Sequence, residues 1–284
     1  RSISNYKTKS LFSNPIVVCV LCAFVVLGSY VVLKNGSFIP GLSRKHIHLV
    51  TWNMAAINNN PFEYWITHED PIYNKLMKDV SDFINNPGNK DVPVHEVFTQ
   101  DMFDDLVKSM KEAGWTDIAE VENQWKTSIK DRKIISQIMK DESIGKKRLA
   151  SMPDRFTNTI NTMDKGALTR PTVINCYSGD LSTSENWWKQ WKQFMFDTEV
   201  QVQTRKGVKK VKVVELLAPI KKAKYPAITV EEEKISISLQ TVYCAVFDSI
   251  LVHMMNQLEP NKWQPLREDM CTKLNRKKIA RSIE

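Results

Sequence analysis

The chain has 284 residues, of which 42% are hydrophobic, and it carries a formal net charge of +8 at pH 7. This length is sufficient for a membrane tether plus one large domain or two small ones. A chain of this length is long enough to bury a hydrophobic core of its own, so a small domain that depends on disulfides or metals for its stability is excluded.

Residues 15–33 form an uncharged apolar run close to the length needed to cross a hydrocarbon core of about 30 Å. We predict a single N-terminal transmembrane helix over 15–33, with an N-terminal flank over 1–14 and a linker over 34–44. A soluble domain then occupies 45–284. The lipid bilayer is therefore a predicted partner. The alternative is an uncleaved signal peptide, whose apolar region is usually shorter.

The charges on the two sides of this run do not fix its orientation, because three cations flank it on each side (Arg1, Lys7 and Lys9, then Lys34, Arg44 and Lys45). The body holds an odd number of scattered cysteines, Cys176, Cys244 and Cys271. This pattern favours a reducing compartment over a disulfide framework. We expect a single-pass protein of an organelle membrane, with its body on the reducing side.

The first predicted strand of the body, His46 to Thr51, ends at Trp52 and Asn53. Its segment Leu49-Val50-Thr51-Trp52-Asn53 resembles the first motif of the endonuclease/exonuclease/phosphatase superfamily, the fold of DNase I-like nucleases, inositol phosphatases and sphingomyelinases. The resemblance implies that Asn53 lies in the shell around Mg²⁺ and the scissile phosphate. The alternative is that Asn53 caps the turn that follows.

The last residues, Asn275 to Glu284, resemble the start of the first helix of the same superfamily. The residues between the two segments would then be a long insertion. A metal-binding Glu, an Asp-x-Asn pair and a terminal Asp-His dyad complete the site in that superfamily, and none can be identified in this chain. The resemblance implies the N-terminal part of a membrane-anchored, Mg²⁺-dependent phosphoesterase that is inactive as this chain alone.

The rest of the body is predicted to be mostly helical, within an α/β domain that also has a few strands and a β-hairpin. Asp248 and His253 in the most apolar segment are expected to be satisfied hydrogen-bonding residues and not catalysts. Helices are predicted at 71–85, 100–113, 119–141, 182–196, 235–258 and 266–284, a buried strand at 171–177 and a hairpin at 199–217.

Two basic segments are candidate binding sites. Lys146, Lys147, Arg148 and Arg155 form a compact group that suits the phosphates of a nucleic acid or an anionic lipid. The alternative is a solvated helix end paired with the acidic residues before it.

Lysines also line the predicted hairpin, at Lys209, Lys210 and Lys212. This ribbon suits RNA, anionic lipid or an acidic partner. The alternative is a lysine-rich edge that prevents strand-to-strand aggregation.

The helix at 182–196 carries three tryptophans. Trp187 and Trp191 share a face at helical spacing, so Trp188 is predicted to be the exposed one and to dock a partner or a membrane surface. The alternative is that one side of the helix packs the domain core. Together with the tether and the basic hairpin, this suggests a second hypothesis. The protein is then a non-catalytic accessory or scaffold subunit of a larger membrane complex.

Overall fold

The computed structural model describes residues 69–204 and 207–281, with side chains up to residue 273. The predicted flank, transmembrane helix, linker and first strand, with Asn53, lie outside the described residues. The described body is mostly helical and has two small antiparallel hairpins. The prediction of a mostly helical body with a hairpin is therefore confirmed.

The described body consists of nine α-helices, short 3₁₀ and π-helical turns and four strands. The α-helices are α1 Pro71–Asn85, α2 Gln100–Glu112, α3 Ile118–Gln124, α4 Glu142–Lys147, α5 Ser151–Thr157, α6 Ser184–Phe196, α7 Val230–Lys234, α8 Ser236–Leu258 and α9 Trp263–Arg281. Short 3₁₀ turns lie at Gly88–Lys90, Val94–Glu96 and Val213–Leu216, and π-helical turns at Trp125–Ile129 and Ile134–Met139. The strands are β1 Thr159–Thr162, β2 Gly166–Thr169, β3 Glu199–Thr204 and β4 Gly207–Lys212.

Helix α8 is the centre of the hydrophobic core, as predicted for 235–258. It packs against α1, α5 and α6. Within the described residues it is the one helix long and apolar enough to cross a membrane, but 83% of its most apolar stretch is buried inside the body. A buried core helix meets the same criterion, so α8 is weak support for a second membrane span.

The predicted long helix over 119–141 is wrong, because the chain reverses in its middle. Val94 N donates to Arg132 O at 2.9 Å and Ile134 N donates to Val92 O at 3.0 Å, so this segment runs beside residues 92–95. The carboxylate of Asp91 then accepts from Ile135 N at 2.8 Å. A cap supplied from a distant residue starts a new helical turn, and local periodicity does not reveal such a cap.

The predicted strand over 171–177 is also wrong, although its burial was anticipated. No strand of the described body pairs with it, and side chains bind its backbone carbonyls instead. Arg267 Nη1 donates to Thr172 O at 3.0 Å and Trp187 Nε1 donates to Pro171 O at 3.0 Å. Arg267 also donates to Tyr177 O. The segment is a buried loop held by side chains of α6 and α9.

The predicted hairpin at 199–217 is confirmed over 199–212, with strands β3 and β4 in antiparallel register from Glu199↔Lys212 to Thr204↔Gly207. Its predicted continuation to 217 is wrong, because Val213–Leu216 is a 3₁₀ turn. A second hairpin, β1–β2, was not predicted. Its turn reaches the first hairpin, since Met163 N donates to Gln201 O at 2.8 Å. The four strands together are called the double hairpin below.

A disulfide joins Cys176 in the buried loop to Cys271 in α9, with a Cα–Cα distance of 5.7 Å. The scattered cysteines did not predict this pair. Only Cys244 is free among the described cysteines, and it is buried. The odd count of cysteines reflects one pair and one core thiol.

Candidate functional site

A buried ion pair joins the end of β2 to the middle of α8. Arg170 Nε donates to Asp248 Oδ2 at 2.7 Å, and both side chains are 2% exposed. The other nitrogens of Arg170 donate to Thr157 Oγ1 at 2.7 Å and to Asp154 Oδ1 at 2.9 Å, both on α5. The guanidinium thus ties three elements together.

The Asp248 carboxylate also accepts from neutral donors. Thr172 Oγ1 donates at 2.7 Å and Trp191 Nε1 donates at 2.8 Å. Burial raises the pKa of Asp248, and the Arg170 guanidinium and these hydrogen bonds oppose that shift. Because every donor is directed at the carboxylate, the ionised form fits the site. The prediction that Asp248 is a satisfied hydrogen-bonding residue is confirmed.

Beside this pair lies a cavity of about 260 Å³. Five apolar side chains supply most of its wall, and Ser151, Asp154, Arg170 and Asp248 supply the polar part. The apolar members are Met139, Ala150, Ile174, Phe247 and Leu251, with the Cys244 thiol between them and the ion pair. Ser151 is exposed, and the Asp154 side chain is 40% exposed, so the cavity opens to solvent along α5.

Cys244 is an unreactive member of this wall. Burial raises the pKa of its thiol, and the nearby Arg170 guanidinium only partly opposes the shift. Nucleophilic cysteines need a lowered pKa and solvent access. Cys244 is therefore a packing residue of the cavity.

In the basic group around α4 and α5, two side chains form ion pairs and two are exposed to solvent. Lys146 Nζ lies 2.9 Å from the Glu142 carboxylate, and Lys147 Nζ lies 2.6 Å from that of Glu232. Arg148 ends α4 in the left-handed conformation, with φ of 63°, and Arg155 is exposed. Lys146 thus pairs with an acidic residue before it, as the alternative interpretation of this segment expected, whereas the partner of Lys147 is a distant residue on α7.

The double hairpin presents lysines together with exposed apolar side chains. Because side chains alternate along a strand, Val208, Lys210 and Lys212 project from one face of β4. All three are exposed, and so is Lys209 on the other face near the tip. Val208 is 56% exposed and Met163, at the β1–β2 turn, is 60% exposed.

The acidic side chain of Glu199 pairs with one of these lysines. Lys210 Nζ lies 2.6 Å from the Glu199 carboxylate, and Lys165 Nζ donates to the Glu199 backbone carbonyl at 3.0 Å. The hydrogen bond from Lys210 lowers the pKa of Glu199, and Lys165 and Lys212 add to the shift. The cationic field therefore extends over both hairpins.

The predicted exposure of Trp188 is wrong. Its side chain is 7% exposed and packs between α6 and α2. Its ring stacks on Trp191 at a centroid distance of 5.5 Å, and its Nε1 donates to Asp105 Oδ2 at 2.9 Å. All three tryptophans of α6 are core residues, because α2 covers the face that the helix alone would leave open.

The described residues provide no ligand set for the Mg²⁺ that the superfamily resemblance implies. Among them, no group of three or more His, Cys, Asp or Glu residues could hold a metal ion. Asn53 lies outside them.

Sequence reasoning missed Arg170, the centre of the buried cluster. A signal for it was present, because a carboxylate such as Asp248 in the middle of an apolar helix needs a cationic partner or several donors. The sequence does not say which arginine supplies it, since Arg170 and Asp248 are 78 positions apart.

Comparison with known proteins gave a single kind of match. The family model described as Domain of unknown function (DUF8234) matches residues 91–268, which is more than half of the chain. No curated protein matches the chain. No solved structure matches it.

Proposed function

The chain belongs to the DUF8234 family, and we propose that its body is a non-catalytic binding module of a single-pass membrane protein. The module docks on anionic lipid headgroups through the double hairpin. In this role the chain is an accessory or scaffold subunit, and the bilayer is its first partner. Other subunits of a membrane assembly bind elsewhere on the body.

The observation that carries this proposal is the pairing of exposed apolar and cationic side chains on the double hairpin. Val208 projects from the same strand face as Lys210 and Lys212, and the Met163 backbone N–H donates to Gln201 O on β3, the strand paired with β4. Membrane-surface segments combine these two kinds of side chain, since apolar groups enter the headgroup region while lysines meet anionic lipid. A strand that only avoids aggregation needs the lysines and not the exposed Val208 and Met163.

Charge supports the same surface. The described residues of the double hairpin carry four lysines (Lys165, Lys209, Lys210 and Lys212) against Asp164 and Glu199. The sequence adds Arg205 and Lys206 between β3 and β4. Each cation near an anionic leaflet contributes about 1 kcal/mol to binding, and salt weakens the contribution.

The proposed tether makes weak docking sufficient. An apolar run at 15–33 and a linker at 34–44 would hold the body close to the bilayer. Binding of a tethered module is intramolecular, so a few kcal/mol are enough to keep the surface engaged.

The compartment is part of the proposal. The Cys176–Cys271 disulfide favours an oxidising compartment over the reducing one that the odd cysteine count predicted. The proposal therefore requires an organelle membrane that presents anionic lipid on its oxidising face. Resistance of Cys176 and Cys271 to alkylation in intact cells, until a reductant is added, would support this placement.

Methyl NMR of the full chain in nanodiscs tests the docking surface. One nanodisc contains phosphatidylcholine, a second also contains phosphatidylserine, and each carries a lipid with a gadolinium headgroup. We expect the Met163 and Val208 methyl signals to broaden in the anionic nanodisc and to recover at high salt. The double variant Lys209→Gln/Lys212→Gln should lose most of the broadening.

A matched control is Lys108→Gln, since Lys108 is a 73% exposed lysine on α2. It should leave the broadening unchanged. Equal broadening in both lipids, or none, would overturn the proposal. A response of these methyls to single-stranded RNA and not to anionic lipid would replace it with nucleic-acid binding.

A second candidate function rests on the position of the matched domain. Residues 91–268 lie between the two segments, Leu49–Asn53 and Asn275–Glu284, that resemble the endonuclease/exonuclease/phosphatase superfamily. We propose as the alternative that the domain is an insertion in a Mg²⁺-dependent phosphoesterase. Its test is Mg²⁺-dependent hydrolysis of bis(p-nitrophenyl) phosphate by the protein together with any downstream sequence, with loss of the activity in Asn53→Ala.

A further inference from the structure

We infer that the cavity beside the Arg170–Asp248 pair is a binding site for a small molecule with a protonated amine and a compact apolar body. This site is separate from the double hairpin and does not depend on membrane docking. The inference follows from the size of the cavity, its wall and its charge.

The size fits a single-ring ligand. The cavity measures about 260 Å³, and an engineered protein cavity of about 150 Å³ already holds benzene. A phenyl ring with a short aminoalkyl chain therefore fits, whereas a nucleotide does not.

The wall is chemically divided. Ile174, Phe247 and Leu251 are among its apolar side chains, and Ile174 and Phe247 are only half-buried. Ligand pockets usually combine such an apolar wall with a few polar groups that fix orientation. Here the polar groups lie together near Asp154.

The charge of the polar part selects the ligand. Asp154 and Asp248 share one cation, Arg170, so the two carboxylates leave a net negative charge. Both oxygens of the Asp248 carboxylate accept hydrogen bonds. The Asp154 carboxylate accepts from Arg170 through Oδ1 alone. Among the described residues no donor reaches Asp154 Oδ2. A ligand ammonium group donating to this oxygen would complete the network with a charge-assisted hydrogen bond.

The opening of the cavity allows such a ligand to enter without unfolding. Asp154 is on α5 with 40% of its side chain exposed, while Arg170 and Asp248 lie behind it. An amine bound at Asp154 keeps its charged end near water and places its apolar end against Phe247 and Leu251. This orientation avoids the cost of burying an unpaired charge.

Three probes of one shape test the inference on the full chain in phosphatidylcholine nanodiscs. They are 2-phenylethylamine, the neutral 2-phenylethanol and the anionic 3-phenylpropionate. Methyl NMR signals of Met139, Ile174 and Leu251 report binding. We expect saturable shifts with the amine, at least about tenfold weaker binding of the alcohol and no binding of the anion.

Variants separate the charge from the shape. Asp154→Asn keeps an acceptor for Arg170 and removes the charge, so amine affinity should fall at least about tenfold. Ala150→Leu narrows the cavity and keeps both members of the ion pair, so it should weaken the binding of the amine and of the alcohol. Asp197 is an exposed aspartate at the end of α6. The control variant Asp197→Asn should leave the affinities for the amine and for the alcohol unchanged.

The outcomes decide the inference in both directions. It is overturned if the amine causes no saturable shifts, if the three probes bind equally, or if Asp154→Asn retains the affinity. Thermal denaturation of each variant shows whether it is folded, so a loss of binding is assigned to the site only where the melting temperature is kept. Failure of this test leaves the lipid-docking experiment unaffected, since that experiment reads Met163 and Val208.

Discussion

Arg170 donates to the Asp248 carboxylate at two points, from Nε to Oδ2 at 2.7 Å and from Nη2 to Oδ1 at 3.2 Å. The pair joins a hairpin to the central helix α8 across 78 positions of sequence. A complete buried pair contributes little net stability relative to apolar residues, but removing one partner leaves an uncompensated charge. The cluster therefore makes the body sensitive to single substitutions at this point.

Arg170→Met should lower the free energy of unfolding by about 3–5 kcal/mol, because the buried Asp248 carboxylate loses its cation. Chemical denaturation of the full chain in detergent measures the change. The matched surface variant is Lys210→Met, which removes the exposed partner of Glu199 and should cost less than about 1 kcal/mol. If both variants lost a similar free energy of unfolding, burial of the Arg170–Asp248 pair would not explain the loss in Arg170→Met.

The same variant has a predicted pH dependence. Burial already raises the pKa of Asp248 in the native chain, against the Arg170 guanidinium. Removing Arg170 raises this pKa further, so the folded variant binds a proton at a higher pH than the folded native chain. Stability then rises as the pH falls from 7 toward the ordinary aspartate pKa of about 4. The deficit of Arg170→Met relative to the native chain should shrink over this window. A constant deficit would contradict an ionised Asp248.

Loss of the disulfide should also be costly. Cys176 and Cys271 are separated by 95 positions, and closing a loop of about this length restricts the unfolded chain by roughly 4–5 kcal/mol in the chain-entropy account. We expect Cys271→Ser to lower the free energy of unfolding by about 2–5 kcal/mol. A reductant should destabilise the native chain by a similar amount and leave the variant unchanged. If the reductant destabilised Cys271→Ser as much as the native chain, the effect of the reductant would not come from the Cys176–Cys271 disulfide.

Local patterns predicted the elements that local chemistry determines. The capping residue Thr99 accepts from Met102 N at the start of α2, and alternation with a turn located β3 and β4. The apolar character of 235–258 also gave the central helix. In each case the stabilising partners lie within a few residues of one another.

The failures share a different cause, which is a partner distant in sequence. Asp91 caps a helical turn 44 positions away, and Arg267 holds a carbonyl of the 171–177 loop 95 positions away. The disulfide and the Arg170–Asp248 pair are of the same kind. The cavity is lined by residues from 139 to 251, so its composition was not predictable from any one segment.

Substitution of Trp188 tests whether this side chain of α6 stabilises the core or serves as a surface anchor. Trp188→Ala removes a ring packed against Trp191 and Phe98, so we expect a loss of about 3–5 kcal/mol in the free energy of unfolding. Trp188→Phe keeps a ring but loses the donor to Asp105. Because Lys192 still donates to Asp105 at 2.6 Å, this milder change should cost about 1–2 kcal/mol.

Phe156→Ala is the matched control, since Phe156 is an aromatic residue that is 41% exposed and should change stability by at most about 0.5 kcal/mol. Chemical denaturation of the three variants gives the comparison. If Trp188 acted as a surface anchor, Trp188→Ala would keep native stability and weaken lipid docking in the nanodisc. A stability loss that exceeds that of Phe156→Ala several-fold would instead place Trp188 in the core, where α2 and α6 depend on it to stay packed.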